Sequence, residues 1–430
     1  MTSDQTSSLP VANSQRCGTD ANEPATIRPA EIHHPVMPSF SSRPALRMIG
    51  RSVRFLRDAW LIAGIALTLF VLVEGIASLL IRIVEIPDLR IHADDYQRAV
   101  WASDYFRELR DTRCRWEPYV YWRHRPFSGK YIQVDEKGLR HTSPAQNGSA
   151  QAARPYRVFM FGGSTLWGTG ARDEYTIPSL VASELQKEGV AAEVVNFGQS
   201  GYVSTQEVIE LLRQLQRGNV PQLVVFYDGV NDTYSSYQQG TAGIPQNEFN
   251  RVKEFRPSAH ALLMQAIGEL STSRLMRKIV KRPGPETDPE RVEQEDLPGA
   301  VAEVYLSNLR LVESWSRSLG FHTLFYWQPT IFGKRMLSSY ERAEREKQQA
   351  VEGFFHETCR AVEKRRREIG ADAILNDLSG IFADVSTPVY IDSCHLSEYG
   401  NSLVARRMAK DILPLVRRSD NEQPETASGE

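Results

Sequence analysis

The feature that most constrains this chain is an apolar run over residues 59–84, in which Glu74 and Arg82 are the only charged residues. A helix rises 1.5 Å per residue, so a run of this length can cross the ~30 Å hydrocarbon core of a bilayer. A signal peptide is the alternative, but its apolar core is usually ~7–15 residues long and lies near the N-terminus. The run therefore predicts an uncleaved transmembrane helix over residues 59–84.

The charges on the two sides of this run differ. Acidic and basic residues are mixed after it, whereas the residues before it include Asp58 and five arginines: Arg43, Arg47, Arg51, Arg54 and Arg57. Basic residues stay on the cytoplasmic side of membrane helices. We therefore expect a single-pass protein with a cytoplasmic N-terminus and with everything after Val84 extracytoplasmic, which means periplasmic in a Gram-negative bacterium.

Glu74 lies within the apolar run, toward its outer end. Acidic side chains in membrane helices often contact a partner or relay protons. A single carboxyl nearer the outer end can also be protonated or reach toward water, and the sequence favours that interpretation. Glu74 is kept as a candidate contact for a membrane partner.

The rest of the chain divides by composition. Residues 1–58 are predicted to be a disordered cytoplasmic tail with a basic juxtamembrane end, because the first 42 lack apolar periodicity. Residues 85–153 are rich in irregularly spaced aromatic residues and are predicted to be a membrane-proximal connector packed on the main domain. Residues 419–430 are predicted to be a disordered tail.

From Tyr156 onward, short apolar runs alternate with amphipathic helical stretches. The runs are YRVFMF, AEVVNF, QLVVFY, FHTLFYW and DAILN, and helical stretches lie around residues 177–188, 204–217, 300–319 and 340–369. Buried strands that alternate with helices indicate a parallel sheet covered on both faces. This predicts a three-layer α/β/α domain with a five-stranded sheet. Residues 234–299 interrupt the alternation and are predicted to be an insertion that forms a lid or rim over the site.

Composition excludes some functions and leaves others open. The net charge is −2, so no global basic surface exists for nucleic acid. No cofactor is expected, and no metal site is expected because the cysteines lack ligand spacing to one another. Three cysteines fall on the predicted exported side, Cys114, Cys359 and Cys394. The sequence does not determine whether two of them pair.

In a doubly wound sheet, ligands bind beyond the carboxyl ends of the strands. Four polar segments follow the apolar runs: Gly162–Thr165, Asn196–Gly201, Asp228–Asp232 and Asp392–Leu396. Together they bring a serine, a glycine amide, a carboxamide and an aspartate–histidine pair to one edge of the sheet. These groups are the requirements of acyl transfer through a serine nucleophile.

Each group has a candidate role. Ser164 is the predicted nucleophile, His395 its base, and Asp392 the carboxylate that orients the imidazole. The Ser164 and Gly201 amides and the Asn231 side chain are the predicted oxyanion donors. Gly198 is the competing glycine of the second segment, although its spacing from Asn196 favours Gly201.

These four segments resemble the sequence blocks of the SGNH (GDSL-like) hydrolase superfamily, named for its catalytic Ser, Gly, Asn and His. Block by block, the resemblance assigns the family's catalytic positions to Ser164 in GGST, Gly201 in NFGQSGYVS, Asn231 in GVND, and Asp392 and His395 in DSCHLSEYGN. The resemblance covers roughly residues 154–415 and implies a flavodoxin-like fold; we place the hydrolase domain at 154–418.

Two features depart from the most common family pattern. GGST replaces GDS, as in the membrane-anchored esterase and acyltransferase branch that modifies polysaccharides. The run VDEKGLR at 134–140 is similar to a stretch that often precedes the catalytic domain in that branch, and it keeps Gly138 and Arg140.

Each segment also has a structural interpretation. Ser164 could cap a helix, Asn231 could shape a turn, and His395 could begin the last helix. The structural interpretation requires four unrelated coincidences at four strand ends, whereas a single catalytic site explains all four segments. We therefore predict a membrane-anchored extracytoplasmic serine esterase whose substrate is an acylated carbohydrate or other ester, with O-acetyl groups of envelope glycans as the leading candidate. The alternatives are an O-acyltransferase that uses the same residues and a non-catalytic glycan-binding scaffold.

Overall fold

The computed structural model of the protein describes residues 43–83, 88–143, 155–249, 251, 259–280, 294–370 and 375–422. The chain divides into two compact units, Met1–Val71 and Leu72–Glu430. The described part of the first unit is helical throughout, and the second contains all the described strands.

Helix α1 (Arg43–Ile83) contains the apolar run. Its segment Arg51–Ile81 is long and apolar enough to cross a membrane, because it contains 18 consecutive residues with a mean hydropathy of 2.3. It is the one such helix among the described residues. Disorder was predicted for residues 1–58, and this prediction is wrong for 43–58, which belong to α1. Arginine, leucine and alanine favour helix, and extending an existing helix costs less than starting one. Residues 1–42 lie outside the described residues, as does Val84 of the predicted span.

Among the described residues, five parallel strands form the predicted sheet. They are β5 (Tyr156–Gly162), β6 (Ala192–Asn196), β7 (Leu223–Asp228), β8 (His322–Trp327) and β9 (Leu375–Asp377), and their order is β6-β5-β7-β8-β9. The central strand β7 is buried along its whole length. This explains its uninterrupted apolar sequence, because central parallel strands are covered on both faces. The strand order is the flavodoxin-like one, which confirms the predicted fold class.

The described helices that follow β5 are α3 (Ser164–Trp167), α4 (Ile177–Lys187), α5 (Ser204–Gln216), α6 (Val230–Gln239), α7 (Ala259–Glu269), α8 (Ser271–Ile279), α9 (Leu297–Leu319), α10 (Ser339–Lys347), α11 (Gln349–Glu368) and α12 (Glu398–Glu422). Of these, α4 and α12 pack on one face of the sheet, and α5 and α9 pack on the other. The predicted helix over 340–369 is therefore two helices. The predicted disordered tail 419–430 is wrong for residues 419–422, where α12 continues as an extension of an established helix; residues 423–430 lie outside the described ones.

Alternate side chains of β5 enter different cores, as the two-residue period of a strand requires. Val158 and Met160 pack with α4 and α12, whereas Phe159 and Phe161 pack with α5 and α9. This arrangement gives the three layers of the domain and fixes the carboxyl end of β5, where Ser164 follows, at one edge of the sheet.

Residues 88–143 form a smaller layer against that edge. They contain α2 (Ala102–Asp111) and four short strands, β1 (Cys114–Glu117), β2 (Tyr121–His124), β3 (Phe127–Ser128) and β4 (Gln133–Val134). Tyr105, Phe106 and Ile132 form an apolar cluster with Trp167 and Ile391. Those last two side chains lie close in sequence to Ser164 and Asp392, so this layer supports the candidate site directly.

Candidate active site

The chain turns sharply between β5 and Ser164. Gly163 is the N-cap of α3, and Gly168 ends that helix with a left-handed φ of 105°. A Cβ on Gly163 would lie 2.1 Å from Asn231 Nδ2. The glycine that replaces the more common aspartate before the serine is therefore required here, because the Asn231 amide packs directly against the backbone at this position.

Ser164, His395 and Asp392 form one hydrogen-bonded chain. His395 Nδ1 lies 2.7 Å from Asp392 Oδ2, and His395 Nε2 lies 2.7 Å from Ser164 Oγ. With Nδ1 donating to the carboxylate, Nε2 is free to accept the serine proton. The second carboxylate oxygen, Oδ1, accepts hydrogen bonds from the backbone amides of His395 at 2.8 Å and Cys394 at 3.0 Å. Asp392 thus fixes both the ring and the loop that carries it.

The electrostatics of the pair favour an ionised Asp392. Burial alone would raise its pKa, but His395 and the nearby Arg90 outweigh burial and hold the pKa of Asp392 well below its usual value. Burial lowers the pKa of His395, and the Asp392 carboxylate more than offsets this, so that pKa lies above its usual value. The ion pair is therefore suited to stabilise an imidazolium that forms when the serine loses its proton.

Arg90 is a site residue that the sequence interpretation missed. Its Nη1 lies 3.6 Å from Asp392 Oδ2, and its Nη2 donates to Asp88 Oδ2 at 2.7 Å. It follows the apolar helix in a segment without a motif, and we find no sequence signal that would have placed it beside Asp392.

The sequence predicts Asn231 and Gly201 as oxyanion donors. Both line the same cleft as Ser164 and His395. Asn231 Nδ2 donates one hydrogen bond to Tyr202 O at 2.8 Å, and its Oδ1 accepts one from Gln246 Nε2 at 3.1 Å. These contacts fix which end of the carboxamide faces Ser164 and leave the second Nδ2 hydrogen for an oxyanion.

The competing glycine lies elsewhere. A Cβ on Gly198 would lie 2.5 Å from the backbone nitrogen of Trp167, so Gly198 allows close packing against α3. Gly201 has a left-handed φ of 76° and lines the cleft. Of the two glycines, only Gly201 lines the cleft that contains Ser164.

The turn after β8 joins two of the predicted segments. Gln328 Nε2 donates to Thr165 Oγ1 at 2.8 Å and to Cys394 O at 3.4 Å. Gln328 is buried and follows Trp327, the last residue of β8. The rule that placed the other site residues, inspection of each strand end, would have found it.

The predicted match at 134–140 also has a structural explanation. Arg140 is buried, and its guanidinium donates to Asp173 at 2.8 Å and to the carbonyls of Gly168 and Ala171 at 2.7 Å each. It also lies 4.4 Å over the Trp167 ring. Arg140 therefore fixes the loop after α3 and, through it, the position of Ser164.

His124 contributes an imidazole to the cleft that the sequence interpretation did not select. Its ring stacks on Trp167, with centroids 4.4 Å apart, and its Nδ1 lies 3.0 Å from Gln199 Oε1. Burial lowers the pKa of His124 to about 4. A neutral ring held in this way serves as a packed wall of the cleft beside Ser200.

The cleft has a volume of about 590 Å³. Phe332 and Phe355 provide apolar lining, and Trp122, Gln246 and Arg251 provide a polar and aromatic rim. The Arg251 guanidinium lies 4.4 Å over the Trp122 ring. Gln246 and Arg251 belong to the predicted insertion 234–299, so part of that insertion lines the cleft.

Among the described residues, Cys114, Cys359 and Cys394 are free thiols. Atoms of Asp392, Cys394 and His395 lie within 4.8 Å of one another, a spacing that could hold a metal ion. Both ring nitrogens of His395 are already in hydrogen-bond contact with Asp392 and Ser164. These three residues are therefore arranged for proton transfer to and from the serine.

No protein-family model matches the chain, and no curated protein matches it. Among solved structures, it is similar to the acetyl xylan esterase AlAXEase, at 17% identity and a TM-score of 0.36, covering 60% of this chain and 100% of that one. It is also similar to a putative lipolytic protein of the G-D-S-L family from Desulfitobacterium hafniense, at 11% identity and a TM-score of 0.33, covering 59% and 98%. A catalytic mutant of Axe2, an acetylxylan esterase from Geobacillus stearothermophilus, gives 15% identity and a TM-score of 0.34, covering 60% and 94%. These values are too low to transfer a function, so any functional conclusion rests on the geometry of the site.

Proposed function

We propose that this protein is a membrane-anchored serine ester hydrolase of the SGNH type that removes O-acyl groups through an acyl-enzyme. The observation that carries the proposal is the unbroken contact from Asp392 through His395 to Ser164, with 2.7 Å at each step. Asn231 and Gly201 beside the serine supply the donors that an oxyanion needs.

The geometry supports a two-step reaction. Ser164 Oγ attacks the acyl carbon while its proton passes to His395 Nε2, and the carbonyl oxygen becomes an oxyanion held by Asn231 Nδ2 and the Ser164 and Gly201 amides. The carbon–oxygen bond to the alcohol then breaks, and His395 gives its proton to the leaving oxygen. A water molecule attacks the acyl-enzyme in the same way, releasing the carboxylic acid and restoring the Ser164 hydroxyl.

The cleft supports a small acyl group on a polar alcohol. Phe332 and Phe355 provide an apolar wall for the acyl chain. Gln246 and Arg251 offer hydrogen-bond donors at the rim, where the Arg251 guanidinium lies over the Trp122 ring. This combination suits a sugar ring, so we propose the O-acetyl group of a cell-envelope glycan as the substrate.

The location of the reaction is part of the proposal. The apolar side chains of α1 are exposed, as at Trp60 and Ile62, which suits a lipid environment better than the core of a soluble protein. Arg51, Arg54 and Arg57 precede the most apolar part of the helix, so the positive-inside rule directs the catalytic domain outward.

The test is hydrolysis of 4-nitrophenyl acetate by the full-length protein, wild type against Ser164→Ala. We expect Ser164→Ala to lose at least about 10³-fold in kcat, while Ser393→Ala, which removes another hydroxyl from the cleft, keeps most of the activity. A fluorophosphonate probe should label the wild type at Ser164. Full activity of Ser164→Ala would overturn the proposal, and an unlabelled, inactive wild type would favour a non-catalytic scaffold.

A second measurement separates hydrolysis from transfer. The protein is given an acetyl donor together with an unacetylated oligosaccharide, and acetate release is compared with acetyl-oligosaccharide formation. We expect release to water to dominate. Dominant transfer would replace the hydrolase with an O-acyltransferase that uses the same three residues.

A further inference from the structure

The helical pair α7–α8 presents apolar side chains outward. Leu263, Met264 and Ile267 of α7 and Met276 and Ile279 of α8 are exposed, with exposures of 39–61%. The two helices are joined at Leu270, and Arg277 donates a hydrogen bond to Gly268 O, which ties α8 back to the end of α7. A soluble domain rarely leaves this much apolar surface uncovered on one small element.

Helix α8 separates its side chains by face. Leu275, Met276 and Ile279 fall on one face at helical spacing, whereas Arg274 and Arg277 fall on the other and are exposed. An exposed helix with an apolar face and a basic face is typical of a segment that lies in the membrane interface, with the cations toward anionic headgroups.

Glu74 connects this helical pair to the predicted membrane span. Its carboxylate accepts hydrogen bonds from the backbone amides of Ser271, at 2.5 Å, and Thr272, at 3.2 Å, and from the Thr272 hydroxyl. The first amides of a helix have no partner within that helix, and Glu74 satisfies two of them in α8.

The position of Glu74 indicates where these contacts form. It lies seven residues before Ile81, the end of the apolar segment, which is about 10 Å along the helix. In water such a contact contributes little, because both groups are well hydrated. In hydrocarbon an unpaired carboxylate and unpaired amides are each costly, so their pairing removes both penalties.

We propose that α7–α8 is a membrane-docking hairpin whose apolar face enters the outer leaflet of the bilayer that α1 crosses, with Glu74 as the intramembrane cap of α8. The occupant of the exposed face is therefore lipid, and the partner of Glu74 is this chain's own insertion. The inference rests on α1 spanning the membrane, which is part of the proposed function. Seven residues separate Arg251, at the rim of the cleft, from α7, so docking would hold that rim near the membrane surface.

The first test measures depth with spin labels in full-length protein reconstituted into vesicles of phosphatidylethanolamine and phosphatidylglycerol. Single cysteines replace Met276 or Ile279 in a background whose native cysteines are serine, and matched labels replace Arg274 or Arg277 on the opposite face. We expect collisions with oxygen to exceed those with a nickel chelate at 276 and 279, and the reverse at 274 and 277. Preferential nickel access at all four sites would overturn the proposal.

The second test addresses the cap. Glu74→Leu makes α1 more apolar and keeps it inserted, and we expect it to raise nickel access at 276 by at least threefold. Thr68→Leu, a matched polar-to-leucine change on the same helix, should leave that access unchanged. An unchanged depth at 276 in Glu74→Leu would overturn the role of Glu74.

The experiments distinguish failure of the proposal that α1 spans the membrane from failure of the proposal that α7–α8 docks into it. Wild-type protein that an alkaline carbonate wash extracts from membranes would overturn the span, and the hairpin with it. Protein that resists extraction while its 276 and 279 labels remain in water would overturn the hairpin alone. Neither result bears on ester hydrolysis, which is measured separately through Ser164.

Discussion

Arg90 should control the pH at which the proposed catalytic histidine becomes active. Its guanidinium lies near the same Asp392 oxygen that His395 contacts, and its positive charge disfavours a second positive charge on the imidazole. Replacing Arg90 by methionine removes that charge and keeps an apolar chain against the Phe106 ring, which Arg90 now covers at 5.6 Å. We expect Arg90→Met to raise the pKa of His395 further above its usual value.

The size of this rise in the pKa of His395 follows from the geometry. Arg90 Nη1 lies 3.6 Å from Asp392 Oδ2, and that oxygen lies 2.7 Å from His395 Nδ1, so the two cationic groups are at most about 6 Å apart. At an effective dielectric constant of 20, two like charges at this distance repel by about 2.7 kcal/mol, or about 2 pKa units. Arg90 is partly exposed, and solvent screening reduces this to between about 1 and 2 units.

The assay is the pH dependence of kcat/KM for acetyl ester hydrolysis, whose acidic limb reports the base of the free enzyme. Hydrolysis requires neutral His395, so activity rises with pH through its pKa, and a higher pKa moves that limb to higher pH. Arg90→Lys keeps the charge and should leave the limb within about 0.5 unit of the wild type. A limb that stays in place or moves to lower pH in Arg90→Met would refute the electrostatic coupling.

Three further predictions concern groups behind the site. Gly163→Ala places a Cβ against Asn231 Nδ2, so kcat should fall by about 10²–10³ as the donor is displaced; an unchanged kcat would show that Asn231 is not an oxyanion donor. Gln246→Leu removes the contact to Asn231 Oδ1 and should lower kcat by about threefold to tenfold, the worth of one hydrogen bond, whereas a change in KM alone would contradict a positioning role. Burial raises the pKa of both Glu207 and Asp228, so each carboxyl holds a proton in the folded protein that the unfolded chain loses near pH ~4. The free energy of unfolding should therefore fall as pH rises from ~4 through the raised pKa values, by up to ~1.4 kcal/mol per pH unit for each proton. Denaturant unfolding in detergent should show a weaker dependence of this free energy on pH for Glu207→Gln than for the wild type. An equally steep dependence would refute the buried, protonated state of Glu207.

The sheet was predictable because its strands carry a strong local signal. The apolar run 156–161 became β5 and the run 222–227 became β7 with shifts of a residue, since burial on both faces demands continuous apolar sequence. The positions of the strand ends then predicted that Ser164, Asn231 and His395 lie at the same edge of the sheet. This prediction needed only the rule that ligands of a doubly wound sheet bind beyond the carboxyl ends of its strands.

The boundaries of the helices were less predictable. Residues 43–58 were expected to be disordered and are helical, because helix extension from a stable neighbour leaves little trace in composition. The stretch 340–369 was expected to be one helix, yet α10 ends at Lys347. Glu341 in α10 accepts hydrogen bonds from the backbone amides of Val389 and Tyr390. This contact joins segments that are far apart in sequence, so no local sequence pattern predicts it.

The supporting residues of the site were the hardest to predict. Arg90 and Gln246 lie in segments without strand or helix periodicity. Arg90 contacts Asp392, which is about three hundred positions away, and Gln246 contacts Asn231 on helix α6. Gln328 was missed although it follows a strand directly. Motif spacing identified the groups to which the proposed reaction assigns a role, but the groups that orient them depend on tertiary packing.

The contacts around Ser164 argue that the catalytic unit is larger than the sheet and its helices. The Tyr105 hydroxyl donates to Gly168 O at 3.1 Å and accepts from the Gly170 amide at 2.8 Å, and the Arg140 guanidinium also donates to Gly168 O. Both residues precede β5, and both hold the loop that follows α3. Arg251, which lines the cleft, comes from the insertion and lies over the Trp122 ring. The segment between α1 and the sheet therefore positions the serine, and the insertion lines part of the cleft. A fragment that begins at β5 would keep Ser164, Asp392 and His395 but lose the contacts that fix the serine loop.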